Sequence, residues 1–291
     1  MKPNSIFAIC AATALAFTAC QNAEEPMVNE PIDQSGAITR AAGSIDDFYR
    51  FAYIEVNDVN LFASNIRGDA NGNVHNYNNP NNEAILSNPA KYIQPLRDAG
   101  IKVIMGNLGD HTGAGFSNLT AAQIETYTDD LVAYEDIVDG YDFDDEWAEY
   151  GTRGYPAANS TSFSNLIIRL NEKTDNMITV FDWDLARNIN STAAACVDYA
   201  TYGALNGYST NPSFPIPLSR YGAYFCNLSQ APAAALVKLR VNNAVNAGAG
   251  GVTFFNLPMQ PTMVSRFNAA AEVFGETCTH TGTTYAKDYG N

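Results

Sequence analysis

Short apolar runs alternate with polar or amphipathic stretches from about residue 48 of this 291-residue chain. Short runs rich in Val, Ile, Tyr and Phe are typical of strands, whereas longer stretches with one apolar face are typical of helices. The pattern predicts eight strands, at 49–56, 59–66, 101–106, 139–146, 177–184, 197–203, 221–226 and 251–257. It predicts four helices, at 88–99, 120–136, 161–173 and 230–247.

Strands that alternate with helices favour a parallel sheet, and eight strands in one domain predict an α/β fold of the (β/α)8 TIM-barrel type. An open, doubly wound sheet is the alternative. Acidic residues end a strand near the middle of the chain, and this favours the barrel, because barrel active sites gather at the C-terminal ends of strands. The intervals 185–196 and 204–220 lack a regular helical pattern, so we expect loops to replace helices there.

The link between the first two predicted strands is unusually short, because only Asn57 and Asp58 separate them. A parallel crossover needs about a dozen residues or more. Either the second strand is not a parallel neighbour of the first, or the barrel is irregular, with a shortened first crossover. Whether such a barrel is active stays open at this stage, because the first strands help to close it.

The N-terminal residues have the features of a bacterial export signal. Lys2 precedes an apolar stretch at 6–19 that is too short to span a bilayer comfortably. Residues 17–20, Phe-Thr-Ala-Cys, resemble a lipobox, which predicts cleavage before Cys20 and lipidation of that cysteine. An ordinary signal peptide that is cut nearby is the alternative.

These features predict three segments: a lipoprotein signal peptide at 1–19, a polar tether at 20–44 and one barrel domain at 45–291. The acidic stretch directly after Cys20 resembles the export tag of surface lipoproteins in some Gram-negative bacteria. We therefore expect a surface-exposed protein of the outer membrane, held there by its lipid alone.

The charge and the cysteine content limit the partners further. A formal net charge of −15 disfavours nucleic acid and anionic lipid, but it is compatible with a neutral sugar. With Cys10 in the signal and Cys20 in the anchor, Cys196, Cys226 and Cys278 remain, and an odd number leaves at least one thiol unpaired within the chain. No Cys or His spacing indicates a metal site, and we expect no cofactor.

The acidic sequence at 139–146, Asp-Gly-Tyr-Asp-Phe-Asp-Asp-Glu, is the strongest candidate for chemistry. Alternation along a strand places Asp142, Asp144 and Glu146 on one face, whereas Asp145 faces away and is interpreted as structural. Acids in such an array repel one another, which raises the pKa of at least one of them, so a chain that keeps them usually uses them. The alternatives are a solvated acidic turn or a calcium loop, but the calcium-loop template requires Gly where Asp144 stands.

Residues 139–146 match the DGxDxDxE signature of family 18 glycoside hydrolases, and 142–151 resemble the endo-β-N-acetylglucosaminidases of the endoglycosidase H type within that family. The Gly-rich stretch 106–116 and the segments 51–57 and 254–257 resemble those enzymes as well. The likeness covers roughly 48–258, which is most of the predicted domain.

The resemblance implies that the chain cuts between the two N-acetylglucosamine residues of an N-glycan core. Family members retain configuration by substrate assistance, an exception to the usual two-carboxylate scheme. Glu146 would protonate the leaving oxygen while the acetamido oxygen of the substrate attacks the anomeric carbon. Asp144 would orient the acetamide and stabilise positive charge, and Asp142 would lie beneath it and share a proton.

Five further residues are candidates for substrate binding. Tyr202 ends the sixth strand, where family members use a tyrosine to bind the acetamide, but packing in the core is the alternative. Asn107 and Asn256 end strands three and eight, and either sugar hydroxyls or turn backbones would satisfy them. His111 lies in the loop after strand three, and Trp147 follows Glu146 and offers a stacking surface.

Two other functions are compatible with the sequence. A chitinase-like enzyme is disfavoured by Asp145, because many chitinases carry Trp at that position. A non-catalytic glycan-binding protein is disfavoured by Glu146, because lectin-like relatives usually lose this acid. Trp183 is a weaker stacking candidate than Trp147, and the glycan class is left open. We expect a monomer whose partner is an N-glycan or a glycoprotein.

Overall fold

Eight parallel strands close into a barrel in the computed structural model, which describes residues 63–98, 101–230, 232–255, 264–275 and 277, together with the strands Phe7–Ala12 and Arg50–Ile54. The ten strands are β1 Phe7–Ala12, β2 Arg50–Ile54, β3 Ser64–Gly68, β4 Val74–Asn78, β5 Ile101–Gly109, β6 Gly140–Asp144, β7 Met177–Asp182, β8 Tyr199–Tyr202, β9 Tyr221–Asn227 and β10 Gly251–Phe255. The ring runs in the order β1-β10-β9-β8-β7-β6-β5-β2 and closes because β2 pairs with both β5 and β1. This confirms the predicted barrel.

The strands on either side of the short link at Asn57 lie along the same neighbour. Tyr53 at the end of β2 pairs with Ile104, and Ser64 at the start of β3 pairs with Asn107, both in parallel with β5. The two strands therefore continue one another along β5, and the link between them is not a crossover. The second strand is thus not a parallel neighbour of the first, which is the first of the two alternatives that the sequence left open.

The first position of the barrel is filled by β1, which pairs in parallel with β10 and β2. This strand lies inside residues 1–19, for which the sequence predicts a signal peptide. The cleavage that the sequence predicts would remove β1 and its pairings with β10 and β2 from the barrel. Cys20 and the predicted tether at 20–44 lie outside the described residues.

A hairpin of β3 and β4 extends the sheet beside β5 and includes part of the Asn-rich stretch at 71–82, to which the sequence pattern assigns no strand or helix. Its turn is closed by Asp69, which accepts hydrogen bonds from the backbone amides of Asn71 and Asn73 at 2.8 and 2.9 Å. The following Asn79 caps a helix that the sequence did not predict, and its side chain accepts from the amides of the next two asparagines. The Asn-rich stretch is therefore largely built into the domain.

The helices follow strands along the chain, and one of them, at 191–196, lies in the interval 185–196, where the sequence predicts a loop. Their bounds are α1 Pro80–Leu86, α2 Pro89–Tyr92, α3 Gln94–Asp98, α4 Ala121–Val132, α5 Ser162–Asn171, α6 Ser191–Cys196, α7 Ala234–Ala247 and α8 Val264–Ala271. Thr120 and Gln123 form a capping box at the start of α4, and Gly248 ends α7 at a φ of +77°. In the part of the chain that the structure describes, no helix is both long and apolar enough to cross a membrane.

Aromatic side chains between the barrel and its helices fix the orientation of β6. Phe143 points outward and meets the ring of Phe116 edge to face at 5.1 Å and that of Phe163 at 6.1 Å. Tyr141 is also buried on this outer face. Burying one such ring contributes roughly 1.5–3 kcal/mol, so the outer face holds β6 with Asp142 and Asp144 on the inside.

The described cysteines are not joined to each other. Cys196 is half-buried at the end of α6 and Cys226 is buried in β9, and both are free thiols. Cys278 lies outside the described residues. The structure thus excludes a disulfide between Cys196 and Cys226.

Candidate active site

The three acids of the sequence motif line one cavity at the C-terminal end of the barrel strands. Asp142 and Asp144 project from β6, and Glu146 lies in the loop that follows. The cavity has a volume of about 360 Å³. The structure therefore brings all three predicted carboxyl groups together in a space that admits a ligand.

Asp142 lies deepest of the three. It is 7% exposed, and its Oδ1 accepts a hydrogen bond from the hydroxyl of Thr179 at 2.5 Å. Asn107 lies beside it on β5, where its amide nitrogen donates to the carbonyls of Met105 and Asp142 and its oxygen accepts from Tyr127. Because both amide hydrogens are used inside the barrel wall, the geometry favours a role for Asn107 in holding β6 over a role in binding sugar hydroxyls.

Glu146 is half-buried at the mouth of the cavity. Burial raises the pKa of Glu146, repulsion from Asp184 raises it further, and the side chain of Trp147 acts in the opposite direction. The sequence predicts that repulsion within the motif raises the pKa of at least one of its acids. For Glu146, however, the main cause of the raised pKa is burial. A raised pKa keeps a carboxyl group protonated closer to neutral pH, as a general acid requires.

Asp145 points away from the cavity into the protein, as strand alternation predicts. It is 5% exposed and accepts hydrogen bonds from the hydroxyls of Ser117 and Tyr150. Burial raises the pKa of Asp145 to about 6, although these two hydrogen bonds act against the rise. Asp145 thus joins the loop after β6 to the loop after β5.

The end of β5 and the Gly-rich loop after it pack against the backbone of the loop that carries Glu146. The amide of Gly109 donates to the carbonyl of Glu146 at 3.0 Å, and the amide of Gly113 donates to that of Ala148 at 2.9 Å. A Cβ atom on Gly109 would come within 2.3 Å of the Glu146 carbonyl oxygen, and one on Gly115 within 2.4 Å of the Ala148 side chain. Glycine is required here because the two backbones approach so closely.

Trp147 and His111 form an exposed pair next to Glu146. Their rings lie 5.6 Å apart, and His111 Nδ1 is 2.9 Å from the Glu149 carboxylate. Trp147 is 59% exposed. All three residues have positive φ, between 54° and 60°. Strained backbone of this kind clusters at functional sites, where the surrounding structure holds it.

The other predicted substrate contacts fall differently. Thr201 and Gly203 face the cavity, so alternation turns Tyr202 outward, where it packs half-buried against the core. This placement favours the packing alternative that the sequence left open for Tyr202. Asn256 lies outside the described residues.

The cavity also has an aromatic wall whose phenylalanines are not among the candidates named from the sequence. Phe181, Phe225 and Phe255 line it, with ring centroids 5.3 and 5.7 Å apart in succession. Trp183 also lines the cavity and is 44% exposed, so it is at least as well placed as Trp147. Phe181, Phe225 and Phe255 lie near the ends of the fifth, seventh and eighth predicted strands, and Trp183 lies in the fifth. That position was the signal available in the sequence.

Comparisons with known proteins identify relatives of this chain. No family model matches the chain. It is 30% identical over 284 residues to endo-β-N-acetylglucosaminidase F1 of Elizabethkingia meningoseptica, with 82% of each chain covered. It is 34% identical over 207 residues to an endo-β-N-acetylglucosaminidase of Flavobacterium sp. (strain SK1022), which covers 68% of this chain and 65% of the relative.

Solved structures agree on the fold. EndoBT-3987 of Bacteroides thetaiotamicron, solved with a Man5GlcNAc product and with a Man9GlcNAc2Asn substrate, matches with a TM-score of 0.68 in both structures. The sequence identities are 21% and 19%, and the match covers 82% of this chain but only 57% and 62% of the EndoBT-3987 chains. A chitinase of Rhizomucor miehei matches with a TM-score of 0.53 at 14% identity. The acidic site, the barrel and the curated relatives together place this chain in the endo-β-N-acetylglucosaminidase family of family 18 glycoside hydrolases.

Proposed function

We propose that this protein hydrolyses the bond between the two N-acetylglucosamine residues of an N-glycan core. The observation that carries the proposal is the convergence of Asp142, Asp144 and Glu146 on one cavity at the catalytic end of the barrel. The curated relatives are named for this class of reaction, and EndoBT-3987 was solved with N-glycan ligands. Both facts support the choice of substrate.

Glu146 acts as the general acid. It lies at the mouth of the cavity, is half-buried and has a raised pKa, so it is able to protonate the glycosidic oxygen as the bond to the leaving sugar breaks. Its backbone is held by Gly109. A carboxyl group that must give a proton at one place needs such a fixed position.

The substrate supplies its own nucleophile. Asp144, between Glu146 and Asp142 on the inner face, orients the acetamide so that its oxygen attacks the anomeric carbon, and stabilises the positive charge of the resulting oxazolinium. Asp142 shares a proton with Asp144, and the Thr179 hydroxyl fixes it from below at 2.5 Å. Attack by the acetamide oxygen inverts the anomeric carbon as the leaving sugar departs with the proton from Glu146, and water then opens the oxazolinium with a second inversion, so the overall reaction retains the configuration.

The rim of the cavity binds the sugars on either side of the broken bond. Trp147, beside His111, offers an exposed ring next to the general acid. Trp183 and Phe181 offer an apolar surface on the other wall. Thr253 also lines the cavity.

The proposed location is the outer face of the outer membrane, with the protein attached through a lipid on Cys20. The support is the lipobox-like sequence at 17–20 and the acidic residues that follow it. The net charge of −15 disfavours direct adsorption to anionic lipid.

The test is digestion of a denatured high-mannose glycoprotein by the wild type, by Glu146→Gln and by Glu135→Gln. Glu135 is an exposed glutamate in the turn ahead of β6, at the other end of the barrel, and serves as the matched control. We expect one N-acetylglucosamine to stay on each asparagine with the wild type and the control, and intact glycoprotein with Glu146→Gln. Release of the whole glycan, full activity of Glu146→Gln, or cleavage of chitin oligomers alone would contradict the proposal.

A further inference from the structure

A buried triangle of side chains fixes the loop that carries Glu146. Asp145 is 5% exposed, and its two carboxylate oxygens accept hydrogen bonds from different side chains. Oδ2 accepts from the Ser117 hydroxyl at 2.5 Å, and Oδ1 accepts from the Tyr150 hydroxyl. The Tyr150 oxygen also accepts from the backbone amide of Ser117 at 3.0 Å. The three residues therefore bind one another in a closed ring.

The triangle encloses the general acid along the chain. Asp145 precedes Glu146, Tyr150 follows it four residues later, and Ser117 belongs to the neighbouring loop after β5. None of the three lines the cavity. These hydrogen bonds hold Asp145 and Tyr150, at the two ends of the loop that carries Glu146, against the loop after β5. The Gly109 amide holds the carbonyl of Glu146 between them.

We propose that Asp145, Ser117 and Tyr150 form a clamp that positions Glu146 at the bond to be cleaved. Asp145 is then a positioning residue, which acts through Glu146 and does not touch the substrate. The inference rests on the proposed function, because it assigns the clamp to the general acid of that reaction.

The chemistry of the triangle supports this role. Burying a carboxylate is costly unless hydrogen bonds satisfy it, and an amide or an apolar side chain fills such a place at lower cost. The benefit is precision, because hydrogen bonds to a carboxylate are short, strong and directional. A displacement of about 1 Å in a catalytic group costs on the order of a hundredfold in rate, so a clamp at this point has a measurable effect.

The principal variant is Tyr150→Phe, which removes two of the three bonds of the triangle, those to Asp145 and to the Ser117 amide, and keeps the aromatic ring. Its matched control is Tyr155→Phe in the same loop, whose hydroxyl donates to the carbonyls of Asp69 and Asn73 at 3.0 and 2.8 Å and takes no part in the clamp. Steady-state kinetics on an N-glycopeptide are expected to show kcat lowered by about tenfold or more in Tyr150→Phe, with KM changed less than about twofold. The control retains the wild-type kcat.

The pH profile separates positioning from general weakening of the fold. A loosened loop returns Glu146 to water, which lowers its pKa, so the basic limb of kcat is expected to move to lower pH in Tyr150→Phe. Gly109→Ala perturbs the same loop at its contact with β5, because the added Cβ would come within 2.3 Å of the Glu146 carbonyl oxygen. We expect the same loss of kcat and the same shift of the basic limb.

Two results would overturn the clamp: an unchanged kcat in Tyr150→Phe, or a lower melting temperature with kcat and the basic limb both intact. Hydrogen exchange of peptides that cover 109–118 and 145–150 makes the test independent of activity. If the wild type leaves glycoproteins uncut, the proposed function fails. Faster exchange at 145–150 in Tyr150→Phe than in Tyr155→Phe would then still support the clamp, and equal exchange would refute it.

Discussion

Asp145→Asn provides a quantitative test of the buried carboxylate beside the general acid. Burial raises the pKa of Asp145 from 3.8 to about 6. The folded state therefore binds this proton more tightly than the unfolded chain. The stability that comes from this proton is fully present below pH 3.8 and is lost as pH rises through about 6.

The magnitude follows from the linkage between proton binding and folding. One pKa unit corresponds to about 1.4 kcal/mol, so the full effect of a shift of about two units is about 3 kcal/mol. Between about pH 5 and about pH 7, Asp145 alone makes the wild type lose about 1.3 kcal/mol of unfolding free energy. Asparagine has no proton to lose in this range, so the stability of Asp145→Asn relative to the wild type is expected to rise by that amount.

Urea denaturation at the two pH values measures this change. The difference between variant and wild type cancels the titration of all other groups, and Asp175→Asn, at an exposed turn, controls for the loss of one charge. A relative stability of Asp145→Asn that is the same at both pH values, or that falls as the pH rises, would refute the reasoning about Asp145.

Three further predictions concern the site and the anchor. Asp144→Asn should lower kcat by at least about a hundredfold on an N-glycopeptide and leave measurable turnover, because the acid remains while the acetamide loses its charged partner; an unchanged kcat would contradict this. Trp147→Ala should raise KM and, because the Trp147 side chain lowers the pKa of Glu146, move the basic limb of kcat to higher pH; a shift to lower pH would contradict it. Cys20→Ala should abolish incorporation of labelled fatty acid into the exported protein, and labelling that persists would refute the lipid anchor.

Much of the site follows from strand alternation alone. Phe143 and Tyr141 pack outward, so Asp142 and Asp144 face the cavity, as the period of two requires. The same rule turns Tyr202 outward, and it was available in the sequence. At Tyr202, the resemblance to the family predicts a contact with the acetamide, whereas alternation predicts an outward side chain. The structure agrees with the alternation.

Other features depend on contacts between distant parts of the chain. The asparagines of β4 have low strand propensity, and this strand forms by pairing with β3 and by a hydrogen bond from the Asn76 amide to Asp130 of α4 at 2.9 Å. The shared use of β5 by β2 and β3 is a matter of register, which no local pattern encodes. Likewise, Asp184, which adds to the rise of the Glu146 pKa, is distant in sequence and becomes a neighbour only in the fold.

In the proposed mechanism, Asp144 and Glu146 cleave the glycan with help from its own acetamide. Proton NMR of the glycan at the moment of release measures this most directly, because the anomeric signal reports the configuration before the sugar equilibrates. Attack by the acetamide followed by water predicts the β anomer, the configuration of the original bond. Initial release of the α anomer would show a single displacement by water and would contradict the roles given to Asp144 and to the acetamide.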